Sequence, residues 1–500
     1  MGSFLKGTLF LMLVIFISKC FGFVYRMQFM RIAGEEVVGL YMTAYPTFIF
    51  FISLIQLGIP IAVSKLIAQY DATRKNEQIA AVMKSASKLS LISIIIFTPL
   101  VLLSTPLIAK TLLHNENLIY TLYISVFTIP VVVFASLFKA YLQGLTKIAP
   151  TAWAQLLEQV VRMGLIIVAL PFFISDSPAK TAAAAMGITA IGEIFSLVFL
   201  SYFYIRSKRK AITTSKTTSH VKPIMQIALP SAGSKLFGTF TWFLEPIVFL
   251  KALTVAGLTA GAATTMYGVI SGVHIPLLLF PAFIPSALSI ILVPAVSNAI
   301  ARNDLPLLNK RITHSLRLSS LVGCIAATVF FIHGDELVMI LFHLEENRGY
   351  MKILAPIFYF YYIQSPLHAI LQAMDEAQAA MMNSIYGGVG KLFLLFFLAS
   401  QPAIQEYGAI LAIGFGVLIT SFLHIASIKQ QRNVRVGFRF FVMPYSIFVA
   451  TVAILPIYTA QFPIALQLAI TLIVTVALLI LTKQIRLQDF IYLRSIFTRS

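Results

Sequence analysis

Five basic side chains lie inside long apolar stretches of the sequence, where a charge is costly. They are Lys19, Arg26, Arg162, Lys235 and Lys391. Lysine or arginine at the centre of a bilayer costs roughly 2.5–3.5 kcal/mol, so it persists where it faces water, an opposite charge or a ligand. Several cations together favour an anion with many oxygens, and pyrophosphate is the natural candidate. We therefore predict an anion-binding site within a membrane; for Arg26, snorkelling to the membrane surface stays an open alternative.

Three carboxylates also lie within apolar stretches: Glu158, Glu193 and Glu245. Glu158 precedes Arg162 by four residues, so on a helix the two side chains could neutralise each other instead of serving a ligand. Glu245 is the best candidate for binding a coupling ion, Na⁺ or H⁺, together with Asn383, and Glu158 is a further candidate. No other cofactor is expected.

Residue patterns typical of enzymes are absent from the sequence. There is no HExxH motif, no nucleophile elbow and no metal-ligand spacing among the eight histidines. Cys20 and Cys324 both lie in apolar stretches, which argues against a disulfide framework and a metal cluster. The segment 387–391 (GGVGK) is similar to a phosphate-binding loop, but it lacks the first glycine and Leu392 replaces the required hydroxyl. We therefore predict no catalytic residues and no metal site.

The elements that must position these residues are membrane-spanning helices. The 500 residues are 59% hydrophobic and 11% charged, with a mean hydropathy of +0.90. These values exclude a soluble enzyme, a nucleic-acid-binding protein and a disordered scaffold, because none could keep so much apolar surface from water. The apolar runs last about 20 residues, as in helices, whereas barrel strands alternate over about ten. We predict an all-α integral membrane protein.

A sliding window of about 19 residues predicts about fourteen spans. Their approximate limits are 5–30, 41–69, 89–113, 117–142, 148–174, 181–205, 224–252, 268–300, 314–333, 352–374, 380–399, 407–429, 441–459 and 464–483. The eighth span contains four prolines, namely Pro276, Pro281, Pro285 and Pro294. Prolines remove backbone hydrogen bonds that lipid cannot replace, so this span should be kinked and should face protein or a cavity.

The distribution of lysine and arginine indicates the orientation. With a cytoplasmic amino terminus, most of these residues fall in cytoplasmic segments, notably 206–222, 302–317, 429–439 and 483–499. The outer loops then carry only Lys110, Lys180, Arg348 and Lys352. The positive-inside rule therefore predicts that both termini are cytoplasmic. The net charge of +19 has the same explanation, and no nucleic-acid partner is expected.

Collinear matches indicate an internal repeat with an offset of about 229 residues. The matched pairs are 18–22 with 234–238, 62–64 with 295–297, 88–90 with 317–319, 142–143 with 371–372, and Arg162 with Lys391. We predict two six-helix lobes related by a pseudo-two-fold axis along the membrane normal, with two further helices. The predicted domains are 1–222, 223–439 and 440–500. Lys19 then corresponds to Lys235, and the deep cations should converge on a central cavity.

Several segments of the sequence resemble a known family of membrane transporters. The segments are 4–8 (FLKGT), 22–24 (GFV), 34–42 (GEEVVGLYM), 46–48 (PTF), 59–65 (IPIAVSK) and 280–283 (FPAF). They are similar to sporulation proteins in the polysaccharide-transporter branch of the multidrug/oligosaccharidyl-lipid/polysaccharide flippases, which are related to the lipid II flippases. The resemblance covers almost the whole chain and is most specific in its amino-terminal third.

The resemblance implies fourteen helices in two lobes, alternating access, and transport of undecaprenyl-pyrophosphate-linked sugars, here for the peptidoglycan of the spore cortex. In related lipid II flippases, cavity arginines in helices one, two and eight are important for the pyrophosphate. In this chain, Lys19 and Arg26 provide the cations of helix one. The corresponding position in helix two lies near Phe50 and Phe51 and is apolar. The position in helix eight falls near His274. Helices thirteen and fourteen of the relatives form a groove for the lipid tail, a role that the apolar last spans could fill.

We therefore expect a flippase of the bacterial cytoplasmic membrane and not an enzyme. The residues expected to bind the headgroup are Lys19, Arg26, Lys235, Arg162 and Lys391. The expected partners are the undecaprenyl-linked glycan, membrane lipids and cell-wall synthesis proteins. Two alternatives stay open: a cation-coupled multidrug exporter of the same superfamily, and a non-transporting membrane scaffold for cell-wall synthesis. An exporter of cationic drugs needs an acidic cavity, whereas these residues predict a basic one.

Overall fold

The computed structural model describes residues 2–208, 220–344, 348–430 and 439–485, and over these residues it contains helices and no strand. The helices are α1 Gly2–Gln56, α2 Ile59–Ala72, α3 Asn76–Leu107, α4 Ile119–Gly144, α5 Ile148–Val168, α6 Pro178–Ser207, α7 Val221–Val255, α8 Ala260–Val269, α9 Ile275–Leu279, α10 Phe283–Ala301, α11 Leu305–Phe342, α12 Tyr350–Ala373, α13 Ala377–Ala399, α14 Gln405–Gln430, α15 Arg439–Thr459 and α16 Ile464–Leu481. Eleven helical segments of the described chain are long and apolar enough to cross a membrane. The predicted all-α membrane fold is confirmed.

The fourteen predicted spans all fall on these helices. The first span and most of the second share α1, which bends at Gly34, where φ is 79°. The second span then continues into α2 after a break at Leu57 and Gly58. The number of spans is therefore as predicted, and the first two are separate helices that meet at a kink at Gly34, within the interval 31–40 predicted between them. A glycine that accepts a positive φ permits this bend without a steric penalty.

Gly58 allows the second span to pass close to α7. Its φ of 70° lies in the left-handed region, which favours glycine. An ideal Cβ at this position would lie 2.3 Å from the carbonyl oxygen of Ala228. A residue with a side chain would therefore be strained at position 58, and its Cβ would clash with the α7 backbone. The break between α1 and α2 is therefore a requirement of helix packing.

Replacing Gly58 with alanine should lower the thermal stability of the purified protein in detergent. The left-handed backbone and the contact with backbone atoms of α7 together should cost about 1–3 kcal/mol. Gly164→Ala is the matched control, because an ideal Cβ there meets nothing within 4 Å. We expect this control to be neutral or slightly stabilising. Equal melting temperatures for the two variants would contradict the proposed packing at Gly58.

The eighth span is broken as its prolines predict. It runs through α8, a π-helical turn Ile270–His274, α9, a 3-10 turn Phe280–Ala282 and α10. The Tyr362 hydroxyl donates a hydrogen bond of 2.6 Å to the carbonyl oxygen of Leu278 within this irregular region. Leu277 and Leu278 are themselves buried. The interrupted backbone therefore faces protein here, which is the condition under which a membrane tolerates it.

The chain divides into two compact units, Lys6–Gly272 and the described residues from Val273 onward. A core in the first unit contains Ile67, Val82 and Leu142, which lie on α2, α3 and α4. A core in the second unit contains Ile312 and Leu367, which lie on α11 and α12. The predicted domain limits at 222 and 439 rest on the internal repeat and stay a prediction. Many of the basic residues used to predict orientation, in 209–219, 431–438 and 486–500, lie outside the described residues.

Candidate anion-binding site

Arg26 lies where three spans of the first unit meet. Its guanidinium Nη1 is 3.8 Å from the Met42 sulfur of the second span and 3.5 Å from the Ser271 carbonyl oxygen of the eighth. The side chain is half-buried, and among the described residues no carboxylate forms an ion pair with it. A guanidinium has five N–H donors, so these two long contacts leave most of them unused. Arg26 is therefore a positioned cation whose charge is not neutralised by the described residues.

Two glycines bring the second and eighth spans together beside Arg26. An ideal Cβ on Gly268 would lie 2.3 Å from the Cα of Gly39. One on Gly39 would lie 2.6 Å from the carbonyl oxygen of Thr264. Small residues permit this close approach of helix backbones within a membrane. Because Ser271 lies three residues beyond Gly268, the crossing also places the Ser271 carbonyl within reach of the Arg26 side chain.

Lys235 on α7 is exposed and is oriented by a neutral partner. Its ammonium donates a hydrogen bond of 3.0 Å to Oε1 of Gln56 at the end of α1. Gln56 is buried and donates in turn from Nε2 to the Ser136 hydroxyl on α4, at 3.1 Å. An ammonium has three donors, so two remain for another ligand. The chain of hydrogen bonds holds the lysine in place without cancelling its charge.

Lys19 on α1 is exposed, and within the part of the chain that the structure describes it has no ion pair. Its distance from Arg26 along the helix is about 10 Å, from seven residues at 1.5 Å each. The intervening Gly22 faces the fifth span. An ideal Cβ on Gly22 would lie 3.4 Å from Gln159 Oε1. The glycine therefore makes room for a neighbouring helix.

Arg162 on α5 differs from the cations above because it has an acidic partner. Its Nη1 lies 3.2 Å from Glu158 Oε1, and both side chains are largely buried. The pairing that the sequence left open is therefore formed. Arg162 also lies 4.9 Å from the ring centroid of Tyr25, in a cation–π contact. Because Glu158 neutralises its charge, Arg162 offers an anion much less than Arg26 does.

Arg162 is surrounded by a polar network, which was not predicted from the sequence. Arg162 Nη2 donates to the Tyr41 hydroxyl at 3.4 Å, and Tyr41 shares a hydrogen bond of 2.9 Å with Thr189 on α6. Gly192 makes room for the arginine stem, since an ideal Cβ there would lie 2.5 Å from Arg162 Cγ. The network thus joins α1, α5 and α6. These contacts favour a structural role for Arg162 within the first unit.

Lys391 and Asn383 lie in the second unit, on α13. The Lys391 stem packs against α14, where an ideal Cβ on Gly416 would lie 2.9 Å from Lys391 Cβ. Asn383 is buried, and its amide nitrogen is 3.2 Å from His424 Nδ1 and 2.8 Å from the Ser427 hydroxyl. Both amide hydrogens of Asn383 therefore have partners within the protein. Convergence of Lys391 with the other deep cations stays a prediction.

The other acidic side chains within the spans are half-buried. Glu245 on α7 lies close enough to Tyr267 of α8 for an electrostatic interaction. Glu193 on α6 is also close enough to Glu158 and Arg162 to interact with them electrostatically. The structure describes no group of three histidine, cysteine or acidic side chains suited to hold a metal ion. Binding of Na⁺ or H⁺ at Glu245, Asn383 or Glu158 stays a prediction.

Ring side chains occupy the two positions at which the family resemblance implied further arginines. Phe50 on the second span stacks on Phe243 of α7, with ring centroids 4.8 Å apart. His274 on the eighth span is buried and packs edge-on against Tyr350 at 5.1 Å, as expected for a packed helix residue. The Arg26 side chain, which starts from the first span, reaches Ser271, three residues before His274.

Several residues that shape this site were missed in the sequence. Gln56, Met42 and Ser271 provide the neutral contacts of Lys235 and Arg26. Gln56 carried a weak signal, because it is a polar residue at the end of an apolar run and directly precedes the Leu57–Gly58 break. Met42 and Ser271 carried none, since their partner lies far away in the sequence and their side chains are ordinary for a membrane helix.

Comparison with known proteins assigns the chain to a family. The family model described as polysaccharide biosynthesis protein matches residues 4–300. The chain belongs to this family. Stage V sporulation protein B of Bacillus subtilis (strain 168), a relative, is 34% identical over 453 residues, which cover 89% of this chain and 88% of that protein. The predicted family is thereby confirmed.

Two further similarities concern lipid II flippases. Lipid II flippase MurJ of Bacillus subtilis (strain 168) is 23% identical over 457 residues, covering 85% of this chain and 82% of that protein. A solved structure of lipid II flippase MurJ, in an inward closed conformation, has a TM-score of 0.71 at 14% identity and covers 97% of this chain and 100% of that chain. The latter is a likeness of fold. Together with the family, these relatives place the chain among multi-pass membrane transporters of the flippase type and not among enzymes.

Proposed function

We propose that this protein is a flippase that moves undecaprenyl-pyrophosphate-linked sugar precursors of the peptidoglycan type across the bacterial cytoplasmic membrane. It works by alternating access, with both termini in the cytoplasm. The relative with 34% identity is named a sporulation protein and the one with 23% identity a lipid II flippase, which supports a role in supplying precursors for the spore cortex.

The observation that carries this proposal is the unneutralised charge of Arg26. A half-buried guanidinium without a carboxylate partner in the described chain is unfavourable unless an anion or water completes its hydrogen bonds. The pyrophosphate of a lipid-linked sugar supplies several charged oxygens for a planar, bidentate donor. Exposed ammonium groups at Lys19 and Lys235 add positive charge on the first and seventh spans. A cationic drug would be repelled by the same residues.

The chemistry required of the site is binding without bond cleavage. The cations compensate the charge of the pyrophosphate while it is away from bulk water, which lowers the cost of moving it through the membrane. The polyprenyl tail is apolar and can stay in the lipid during the whole cycle. A gradient of Na⁺ or H⁺ acting through Glu245 is the proposed energy source.

Simultaneous replacement of Lys19 and Lys235 by alanine should slow flipping at least tenfold in proteoliposomes. Each lost charged hydrogen bond is worth about 1.5–3 kcal/mol, or more than tenfold in an equilibrium constant. The assay follows how fast an undecaprenyl-pyrophosphate-linked amino sugar becomes accessible to a membrane-impermeant reagent in the opposite leaflet. Lys251→Ala is the matched control, because this exposed lysine lies near the end of the same helix α7.

The outcomes separate the proposed function from its rivals. A drug exporter or a scaffold would give precursor movement no faster than protein-free vesicles, with or without the two lysines. A flippase that does not use these charges would show equal rates for the wild type and the double variant. Either result contradicts the proposal as it stands.

A further inference from the structure

Trp242 occupies an unusual place for a tryptophan in a membrane protein. The chain has two tryptophans, Trp153 and Trp242. Tryptophan is enriched at the membrane–water boundary, and Trp153 fits this rule because it lies near the start of α5. Trp242 lies 13 residues before the end of α7, which places it about 20 Å from the nearer helix end. Its depth therefore needs another explanation.

The Trp242 side chain also presents a polar group at this depth. The residue is 39% exposed, and its indole N–H donates no hydrogen bond to any residue that the structure describes. In the hydrocarbon interior such a donor lacks even water as a partner, which is strongly unfavourable. A partly exposed indole deep within a span therefore indicates that its N–H faces water or a ligand with acceptor oxygens.

A second unpartnered group lies directly beside it. The Tyr45 ring on the second span contacts the Trp242 ring edge-on, with centroids 6.0 Å apart and an interplanar angle of 69°. Tyr45 is half-buried, and its hydroxyl forms no hydrogen bond with the described residues. Two aromatic side chains thus contact each other, and each has a hydrogen-bonding group without a hydrogen-bond partner among the described residues. This combination is typical of ligand sites that pair apolar walls with a few polar groups.

The surrounding rings hold this pair in place. Tyr45 stacks on Tyr41 at 5.8 Å, and Tyr41 belongs to the buried network of Arg162. On the α7 side, Phe243 stacks on Phe50 of the second span at 4.8 Å. The Phe243–Phe50 contact thereby joins the second span to α7 directly beside the pair. Trp242 and Tyr45 form a supported surface, which we call the aromatic platform.

The platform lies at a definite distance from a cation on its own helix. Trp242 follows Lys235 by seven residues, so two helical turns place both on one side of α7, about 10 Å apart along its axis. A ligand that contacts both groups must span this separation, and a phosphate together with the sugar ring attached to it is long enough to do so. Pyranose rings expose C–H groups that pack on aromatic faces, and their hydroxyls accept hydrogen bonds from N–H and O–H donors.

We propose that the aromatic platform of Trp242 and Tyr45 binds the sugar next to the pyrophosphate of the transported lipid, while Lys235 contacts the phosphate. This inference rests on the proposed flippase function and extends it to the part of the substrate that carries specificity. The cations recognise any polyprenyl pyrophosphate, and the platform distinguishes a glycosylated lipid from the bare carrier. The bare carrier must bind less tightly than the glycosylated lipid if net transport is to deliver sugar.

The two tryptophans make a direct test possible. In a Trp153→Phe variant, Trp242 is the sole tryptophan, and its fluorescence reports on the platform in detergent-solubilised protein. We would titrate this variant with undecaprenyl pyrophosphate and, separately, with the same pyrophosphate linked to an amino sugar. The glycosylated lipid should change the intensity or emission maximum of Trp242 and bind more tightly, whereas the bare carrier should bind with little change in emission.

A second arm measures affinity with radiolabelled lipids and does not depend on fluorescence. Trp242→Leu should weaken binding of the glycosylated lipid about 3- to 10-fold and leave binding of the bare carrier unchanged. Trp242→Phe keeps a ring and should retain most of the preference. Unchanged binding of the bare carrier also shows that each variant is folded.

The failures of the two proposals can be told apart. If the wild type binds both lipids equally, or if Trp242→Leu weakens both alike, the platform is wrong and the flippase proposal stands. If the wild type binds neither lipid, the proposed function itself is wrong, and so is the proposal that the aromatic platform binds the sugar.

Discussion

Replacing Arg26 with glutamine should weaken the binding of undecaprenyl pyrophosphate by about 10- to 100-fold. Within the described chain Arg26 makes two long hydrogen bonds, with Met42 and Ser271, and both partners are neutral. Its charge is therefore available to the pyrophosphate, and hydrogen bonds to charged groups contribute about 1.5–3 kcal/mol each. The dissociation constant can be measured in detergent with the radiolabelled lipid.

Two further variants make the Arg26 experiment specific. Arg26→Lys keeps the positive charge but loses the planar fork, so it should recover only part of the affinity. Arg31→Gln removes a positive charge five residues further along the chain from Arg26 and should leave the dissociation constant nearly unchanged. Equal affinities for Arg26→Gln and Arg31→Gln would show that Arg26 does not contact the headgroup.

Breaking the ion pair of Arg162 and Glu158 should destabilise the protein strongly. In Glu158→Gln the guanidinium keeps its charge in a buried position without its carboxylate, and removal of one partner of a buried pair costs about 3–5 kcal/mol. Replacing both partners with neutral residues should recover part of this loss. Thermal unfolding of the single and double variants in detergent provides the measurement.

A surface ion pair of the same chain is the natural control for this experiment. Lys110 and Glu116 lie 3.1 Å apart, but their side chains are 52% and 70% exposed. Solvent screens such a pair, so Glu116→Gln should change the stability by about 1 kcal/mol or less. If Glu158→Gln is no more harmful than Glu116→Gln, Arg162 is not held by Glu158, and a direct role in anion binding returns.

Much of the fold follows from composition and local patterns. The apolar runs predicted fourteen spans because a helix needs about 20 residues to cross the hydrocarbon core. The prolines of the eighth span predicted its breaks, since each removes a backbone donor. The sequence predicted a separation of the first two spans between residues 30 and 41, but not that a single glycine, Gly34, makes the turn, because a glycine in a loop and a glycine at a kink look the same in the sequence. The α1–α2 break depends on Ala228, a residue far along the chain.

The deep cations could be found in the sequence, but their roles could not. The pairing of Arg162 with Glu158 was accessible as an alternative because four residues is one helical turn. The contact of Lys235 with Gln56 joins residues 179 positions apart, and that of Arg26 with Ser271 joins residues 245 positions apart. No local sequence pattern predicts contacts over such separations. Trp242 also looked like an ordinary ring until its depth, exposure and contact with Tyr45 were known.

The sequence by itself determined that this chain is a helical membrane protein, where its spans lie, and which charges lie deep within them. These properties follow from the cost of placing polar groups in hydrocarbon, which acts on each segment separately. Only the tertiary structure decided which cations are neutralised and which keep unused donors. That outcome depends on which distant helices pack side by side, through contacts such as Gly39 with Gly268, and a charge is cancelled only by a partner within a few ångströms.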